Sequence, residues 1–167
     1  MCEQNTDQLK TAPCLDARLT GCERAFRKTI LAMIVQGGRP LPPAELAGAA
    51  GLSIQESDDL LNALQMKGLL VRNSGGEISG VYPVSALPTQ HRVTLADGRS
   101  FSAMCAIDAL GCAFEFAQNA MVTSSCGHCQ KPLTVSLERG EVTRADPDTI
   151  QILHVDLDQY ADWAASC

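Results

Sequence analysis

Residues 91–111, His-Arg-Val-Thr-Leu-Ala-Asp-Gly-Arg-Ser-Phe-Ser-Ala-Met-Cys-Ala-Ile-Asp-Ala-Leu-Gly, change texture part-way along. His91 to Leu95 and Arg99 to Ser102 are short β-like runs joined through Asp97-Gly98, a pair suited to a tight turn, so a hairpin is expected. Met104 to Leu110 is apolar apart from Asp108 and is followed by Gly111, which reads as a buried helix. Strands leading directly into a buried helix indicate an α+β fold.

Working towards the amino terminus, a helix is expected from about Glu23 to Val35, with Phe26, Ile30, Met33 and Ile34 at helical spacing and Gly37-Gly38 closing it. Pro42 and Pro43 begin a second helix through Ala50, Gly51 makes the turn, and Ser53 caps a third whose Leu60, Leu61 and Leu64 face inward. Leu69 to Val71 and Ile78 to Tyr82 then flank Asn73-Ser74-Gly75-Gly76 as a second hairpin. This is the outline of a winged helix-turn-helix. Residues 1–20 are polar and aperiodic, a loose tail. The chain thus divides into that tail, a winged-helix-like region over 21–83 and an α+β core over 84–167.

Towards the carboxyl terminus, Val122 to Ser125, Leu133 to Leu137 and Ile150 to Val155 look like further strands, with Glu138-Arg139-Gly140-Glu141 as a turn. Asp158 to Ser166 suggests a last helical segment. The expected whole is a helical winged-helix-like region packed on a mixed β-sheet core with short helices.

At 167 residues and 46% hydrophobic, the chain can bury a core of its own. Thirteen basic against nineteen acidic residues give a net charge of -6, which argues against a protein built to neutralise nucleic-acid phosphates. The expected recognition helix sharpens this: it carries Glu56, Asp58 and Asp59 against Lys67. The start lacks a secretory pattern and no apolar stretch reaches membrane-spanning length, so a cytoplasmic protein without membrane contact is expected. Eight cysteines in a reducing compartment read as thiols, which puts soft-metal or redox chemistry first. Cys112 reads as a small buried hydrophobe. Cys2, Cys14 and Cys22 fall in the amino-terminal stretch, incidental or auxiliary.

Two constellations carry chemistry. Cys105 and Asp108 stand three residues apart in an apolar run, a spacing that puts both side chains on one helix face. A carboxyl group among apolar neighbours gains proton affinity, and a protonated Asp108 beside a thiolate can act as an acid. The bland alternative is a local backbone cap with Cys105 as core filler. The second constellation is Ser124-Ser125-Cys126-Gly127-His128-Cys129-Gln130-Lys131-Pro132, two thiols around a tight turn between strands. A soft ion held by thiolates, a zinc knuckle and a redox pair stay open, in that order of preference, with an inert turn as the remaining alternative. Zinc needs two more ligands, and a redox pair needs a helix behind its first thiol where a strand follows here.

With these residues in view, Pro-Val-Ser-Ala-Leu-Pro-Thr-Gln-His-Arg-Val from Pro83, Ala-Met-Cys-Ala-Ile-Asp-Ala-Leu-Gly from Ala103, Ser-Ser-Cys-Gly-His-Cys from Ser124 and Pro-Leu-Thr-Val from Pro132 resemble the core of organomercurial (alkylmercury) lyases. The resemblance covers residues 23–167 and is strongest over 84–137. It implies a mercury-binding nucleophile at Cys105 and proton transfer to the leaving carbon by Asp108. It implies a second catalytic, mercury-binding cysteine at Cys167, the last residue given, and a structural role at the position of Cys126. It further implies mercury resistance through protonolysis of carbon–mercury bonds, an organomercurial small molecule as substrate, no required cofactor, mercuric ion as bound product, and a thiol carrier or mercuric reductase as acceptor.

Cys126 and Cys129 are further metal candidates, for mercury, zinc or copper. The competing expectation is a non-catalytic soft-metal binding or sensing protein on the same scaffold, which the short carboxyl end favours. A metal-responsive DNA-binding regulator is a third, opposed by the acidic helix.

Overall fold

A computed structural model describes residues 18–153. Three helices come first: α1 (Gly21–Gly37), α2 (Pro43–Ala50) and α3 (Ile54–Met66). Each begins and ends where local chemistry dictates. In α1 the Thr20 hydroxyl accepts from the Glu23 amide while the Glu23 carboxylate accepts from the Thr20 amide, so two orphan donors are satisfied at once. Ser53 and Glu56 repeat that capping box on α3. Gly38, at φ 62°, closes α1 in the left-handed region, where a side chain would be strained. Phe26, Ile30 and Ile34 of α1 and Leu61 and Leu64 of α3 supply the first part of the core.

The remaining elements are β1 (Leu70–Arg72), β2 (Ile78–Val81), β3 (Val84–Ser85), β4 (Arg92–Leu95), β5 (Ser100–Ala103), α4 (Ala106–Glu115), β6 (Ala120–Ser125), β7 (Pro132–Glu138) and β8 (Glu141–Asp146). The strands form one eight-stranded sheet in the order β1-β2-β3-β5-β4-β6-β7-β8. Every pairing is antiparallel, which corrects the expected mixed sheet. The connections explain it: most are tight turns, and α4 returns the chain from β5 to β6 beside β4 with reversed direction.

Three helices followed by a hairpin match the amino-terminal expectation, and a bridge between Leu41 and Ile78 ties the α1–α2 connection to that hairpin. The hairpin does not stand apart as a wing, however. Its second strand also pairs with β3, Val81 opposite Val84, so it is the end of the continuous sheet. Cys22, expected in a mobile amino-terminal stretch, sits exposed in the first turn of α1. Residues 150–152 and Leu153 form no strand, against expectation, and a strand at 141–146 appears instead. Most of β8 is exposed, so its sequence lacks the apolar alternation that marks a half-buried strand. The expected helix over 158–166 lies outside the described residues.

One buried ion pair ties the helical part to α4. Arg27 of α1 is 1% exposed and its guanidinium grips the Glu115 carboxylate at 3.0 and 2.7 Å. Its second amino group also donates to the Tyr82 carbonyl at 2.6 Å. A bidentate fork of this kind fixes direction as well as distance. Removing one partner leaves a buried charge uncompensated. Arg27→Met should therefore lower unfolding free energy by about 3–5 kcal/mol, measured by urea denaturation, with much of the loss regained in Arg27→Met/Glu115→Leu. A loss below about 1 kcal/mol, the range of an exposed pair, would show that the clasp does not hold α4.

Candidate active site

The site grows from the start of α4. Cys105 lies just outside the helix with extended backbone, φ -144° and ψ -179°, and is its N-cap. Its sulfur accepts from the Asp108 amide at 3.5 Å, and its carbonyl accepts from the Ala109 amide at 2.9 Å. In return the Asp108 carboxyl group takes hydrogen bonds from the thiol and the amide of Cys105. The pair is thus a capping box in which sulfur stands where Ser or Thr is common and Asp replaces Glu. The sequence places both residues on one face within a helix. The structure brings them together, but as cap and third helical residue, with α4 running from Ala106 to Glu115 and not from Met104 to Leu110.

Placement decides the electrostatics. Asp108 is 4% exposed, and burial raises its carboxyl group to about 6 against the two hydrogen bonds from Cys105 that lower it. A helix amino terminus presents amide donors and positive potential, which favour negative charge on a sulfur at the cap. Cys105 is partly exposed, so a small molecule can reach it. Tyr82 completes the neighbourhood: burial pushes its phenol up to about 12, helped by the nearby Asp108 and Cys105 charges, so it stays protonated. Its oxygen lies 4.0 Å from where a Cβ on Gly111 would be. Cys112, one turn beyond Asp108, is fully buried and its thiol is pushed up strongly by burial, in keeping with a core residue.

A cavity of about 190 Å³ opens beside the same helix end. Ala106 and Leu110 of α4, Val122 of β6 and Leu133 and Val135 of β7 give it a mainly apolar wall, and residues 150–152 and Leu153 line another side. His91 and Ser124 supply a polar edge, with His91 Nδ1 and Ser124 Oγ 2.9 Å apart. Burial pushes the His91 imidazole below its ordinary value, so it is neutral near pH 7.

Cys126 also lines this cavity, at the β6–β7 turn. The Cys126 amide donates to the Lys131 carbonyl and the Gln130 amide to the Cys126 carbonyl, each at 2.9 Å, and Gln130 adopts φ 58°. The amides of Cys129 and His128 and the Cys129 thiol donate to the Cys126 sulfur, so its thiol is shifted down. Among the described residues no group of three His, Cys, Asp or Glu side chains could hold a metal, so a zinc knuckle does not find its four ligands there. Cys167, Cys2 and Cys14 lie outside the described residues.

Arg27, Glu115 and Tyr82 were missed by sequence reasoning. The signal for Arg27 was present: it lies on the same stripe as Ile30, Leu31 and Ile34, where a cation needs a buried partner. Its partner 88 residues away had no local mark.

Residues 84–167 match the alkylmercury lyase family. Among solved structures, the mercury-bound form of MerB2 is similar, with a TM-score of 0.64 and 23% identity over 80% of this chain and 64% of that one. That likeness speaks for the fold, and the chain spans less than two thirds of that protein's length. No curated protein sequence matches. The thiol–carboxyl pair on an α+β scaffold is therefore set in a chain that belongs to the alkylmercury lyase family. No helix among the described residues is long and apolar enough to cross a membrane.

The raised Asp108 pKa has a measurable consequence for stability. Below an ordinary aspartate's 3.8 the group is protonated whether the chain is folded or not. Between there and about 6 the unfolded chain ionises first and stability falls; above that the deficit is constant. Relative to Asp108→Asn, the native chain should thus lose up to about 3 kcal/mol between pH 4 and pH 7, read from denaturation midpoints across pH. Parallel curves for the two proteins would refute the shift.

Proposed function

We propose that this chain cleaves carbon–mercury bonds by protonolysis, with Cys105 and Cys167 as mercury-binding thiolates and Asp108 as proton carrier. The observation that supports it is the reciprocal contact at the start of α4: a partly exposed sulfur shares hydrogen bonds with a buried carboxyl group whose proton affinity is raised. In this reading the organomercurial's metal is substrate, and no organic cofactor enters the step. The Cys105 thiol passes its proton to Asp108 and the resulting thiolate bonds to mercury, displacing the ligand opposite the carbon. A second sulfur, from Cys167, gives its proton to solvent, adds electron density to the metal and weakens its bond to carbon.

The departing carbon takes the electron pair of the broken bond and is too basic to leave without a proton. Asp108 delivers that proton as a general acid. The products are a hydrocarbon and a mercuric ion on the two thiolates, which a thiol carrier or a mercuric reductase then collects. The apolar cavity beside Ala106 and Leu110 suits the organic group, which finds no hydrogen-bonding demand on that wall.

Headspace gas chromatography with methylmercury or phenylmercury tests the reading. Cys105→Ser should release no methane or benzene. Asp108→Ala should still capture mercury while single-turnover cleavage falls about 10²–10⁴-fold, the scale of a lost general acid. Stoichiometric mercury capture by the native chain with no hydrocarbon would overturn catalysis in favour of a binding or sensing role, and equal loss of capture and cleavage in Asp108→Ala would overturn the role of that residue.

A further inference from the structure

We propose that Cys126 and Cys129 form a second soft-ion site, separate from Cys105, that binds one mercuric ion as a two-coordinate dithiolate at the rim of the cavity. The turn is built for two sulfurs. β6 and β7 are in register up to Ser125 opposite Pro132, and the two amide–carbonyl hydrogen bonds within 126–131 close the loop tightly. Gln130, in the left-handed region, reverses the chain just after Cys129. The Cys126 sulfur lies beside the Cys129 thiol, so the two sulfurs are neighbours within the turn. Lys131 adds a positive charge nearby.

Ion choice follows from donor number. Zinc asks for four ligands, and no third His, Cys, Asp or Glu joins this pair among the described residues. A soft mercuric ion is satisfied by two thiolates and needs no further donor. The step balances without an oxidant: two thiols lose their protons to solvent, two sulfur–mercury bonds form, and the ion leaves the ligands that carried it. Cys129 is exposed while Cys126 faces the cavity that Ala106, next to Cys105, also lines. The pair thus borders the cavity next to Cys105 and reaches solvent through Cys129, and an ion left by bond cleavage would pass to it by thiolate exchange. That last role rests on the lyase reading; the binding site itself does not.

The test uses the reduced full chain and mercuric chloride alone, with glutathione as competitor, so that a failure of carbon–mercury cleavage cannot be mistaken for a failure here. Bound ion is counted by equilibrium dialysis, and protected thiols are mapped by alkylation and peptide mass spectrometry. The native chain and Cys105→Ser should both show Cys126 and Cys129 protected together by mercury. Cys126→Ser/Cys129→Ser should hold one tight ion fewer, and each single variant should bind at that site at least tenfold more weakly. The mapping needs no variant at the turn, so a poorly folded mutant does not decide the outcome. Mercury that leaves both thiols open to alkylation, or an unchanged ion count in the double variant, would overturn the proposal. So would protection of the pair without mercury that added reductant reverses, which would mark a redox couple, or protection by zinc alone at lower concentration, which would mark a zinc site.

Discussion

The amino terminus of α4 is the constraint on which the rest depends. A helix must satisfy its first amides, and here a cysteine sulfur and an aspartate carboxyl group do so for one another. The cap fixes their relative position without any additional residue. Because α4 lies against the sheet, the carboxyl group is buried while the sulfur remains at the edge, which separates a proton store from a metal ligand by one helical turn.

The scaffold serves that arrangement from the far end as well. Glu115, the last residue of α4, is held by Arg27 of α1, and the same guanidinium grips the Tyr82 carbonyl just before β3. The helical region is thereby a clamp on α4, consistent with its acidic third helix, whose Glu56 is engaged in capping. Tyr82 links clamp and site, its backbone on Arg27 and its ring in the field of Asp108 and Cys105.

Much of this was legible in the sequence because local rules agreed with the fold. The helix ends at Gly38 and Gly51 and the α3 cap at Ser53 follow from local rules, as does the β4–β5 hairpin from Asp97-Gly98, whereas the Thr20 cap of α1 fell in the expected tail. Cys105 and Asp108 were legible as a pair because a charged residue in an apolar run demands an explanation. Their exact relation was not: spacing of three fits both a helix face and a cap, and only the extended backbone of Cys105 distinguishes them. Pairings set at long range were invisible, such as β2 with β3 making one sheet of an expected wing, or Arg27 with Glu115. Edge strand β8 escaped because exposure removed its pattern.

Burial raises the proton affinity of the Asp108 carboxyl group towards neutrality, and the cysteine that caps its helix partly restrains that rise. A carbon-13 NMR titration of the Asp108 carboxyl carbon measures this directly. The midpoint should lie at about 6 in the native chain and move higher in Cys105→Ala, where the hydrogen bond from the thiol is gone. A midpoint at or below the ordinary aspartate value of 3.8, unmoved by that substitution, would contradict it.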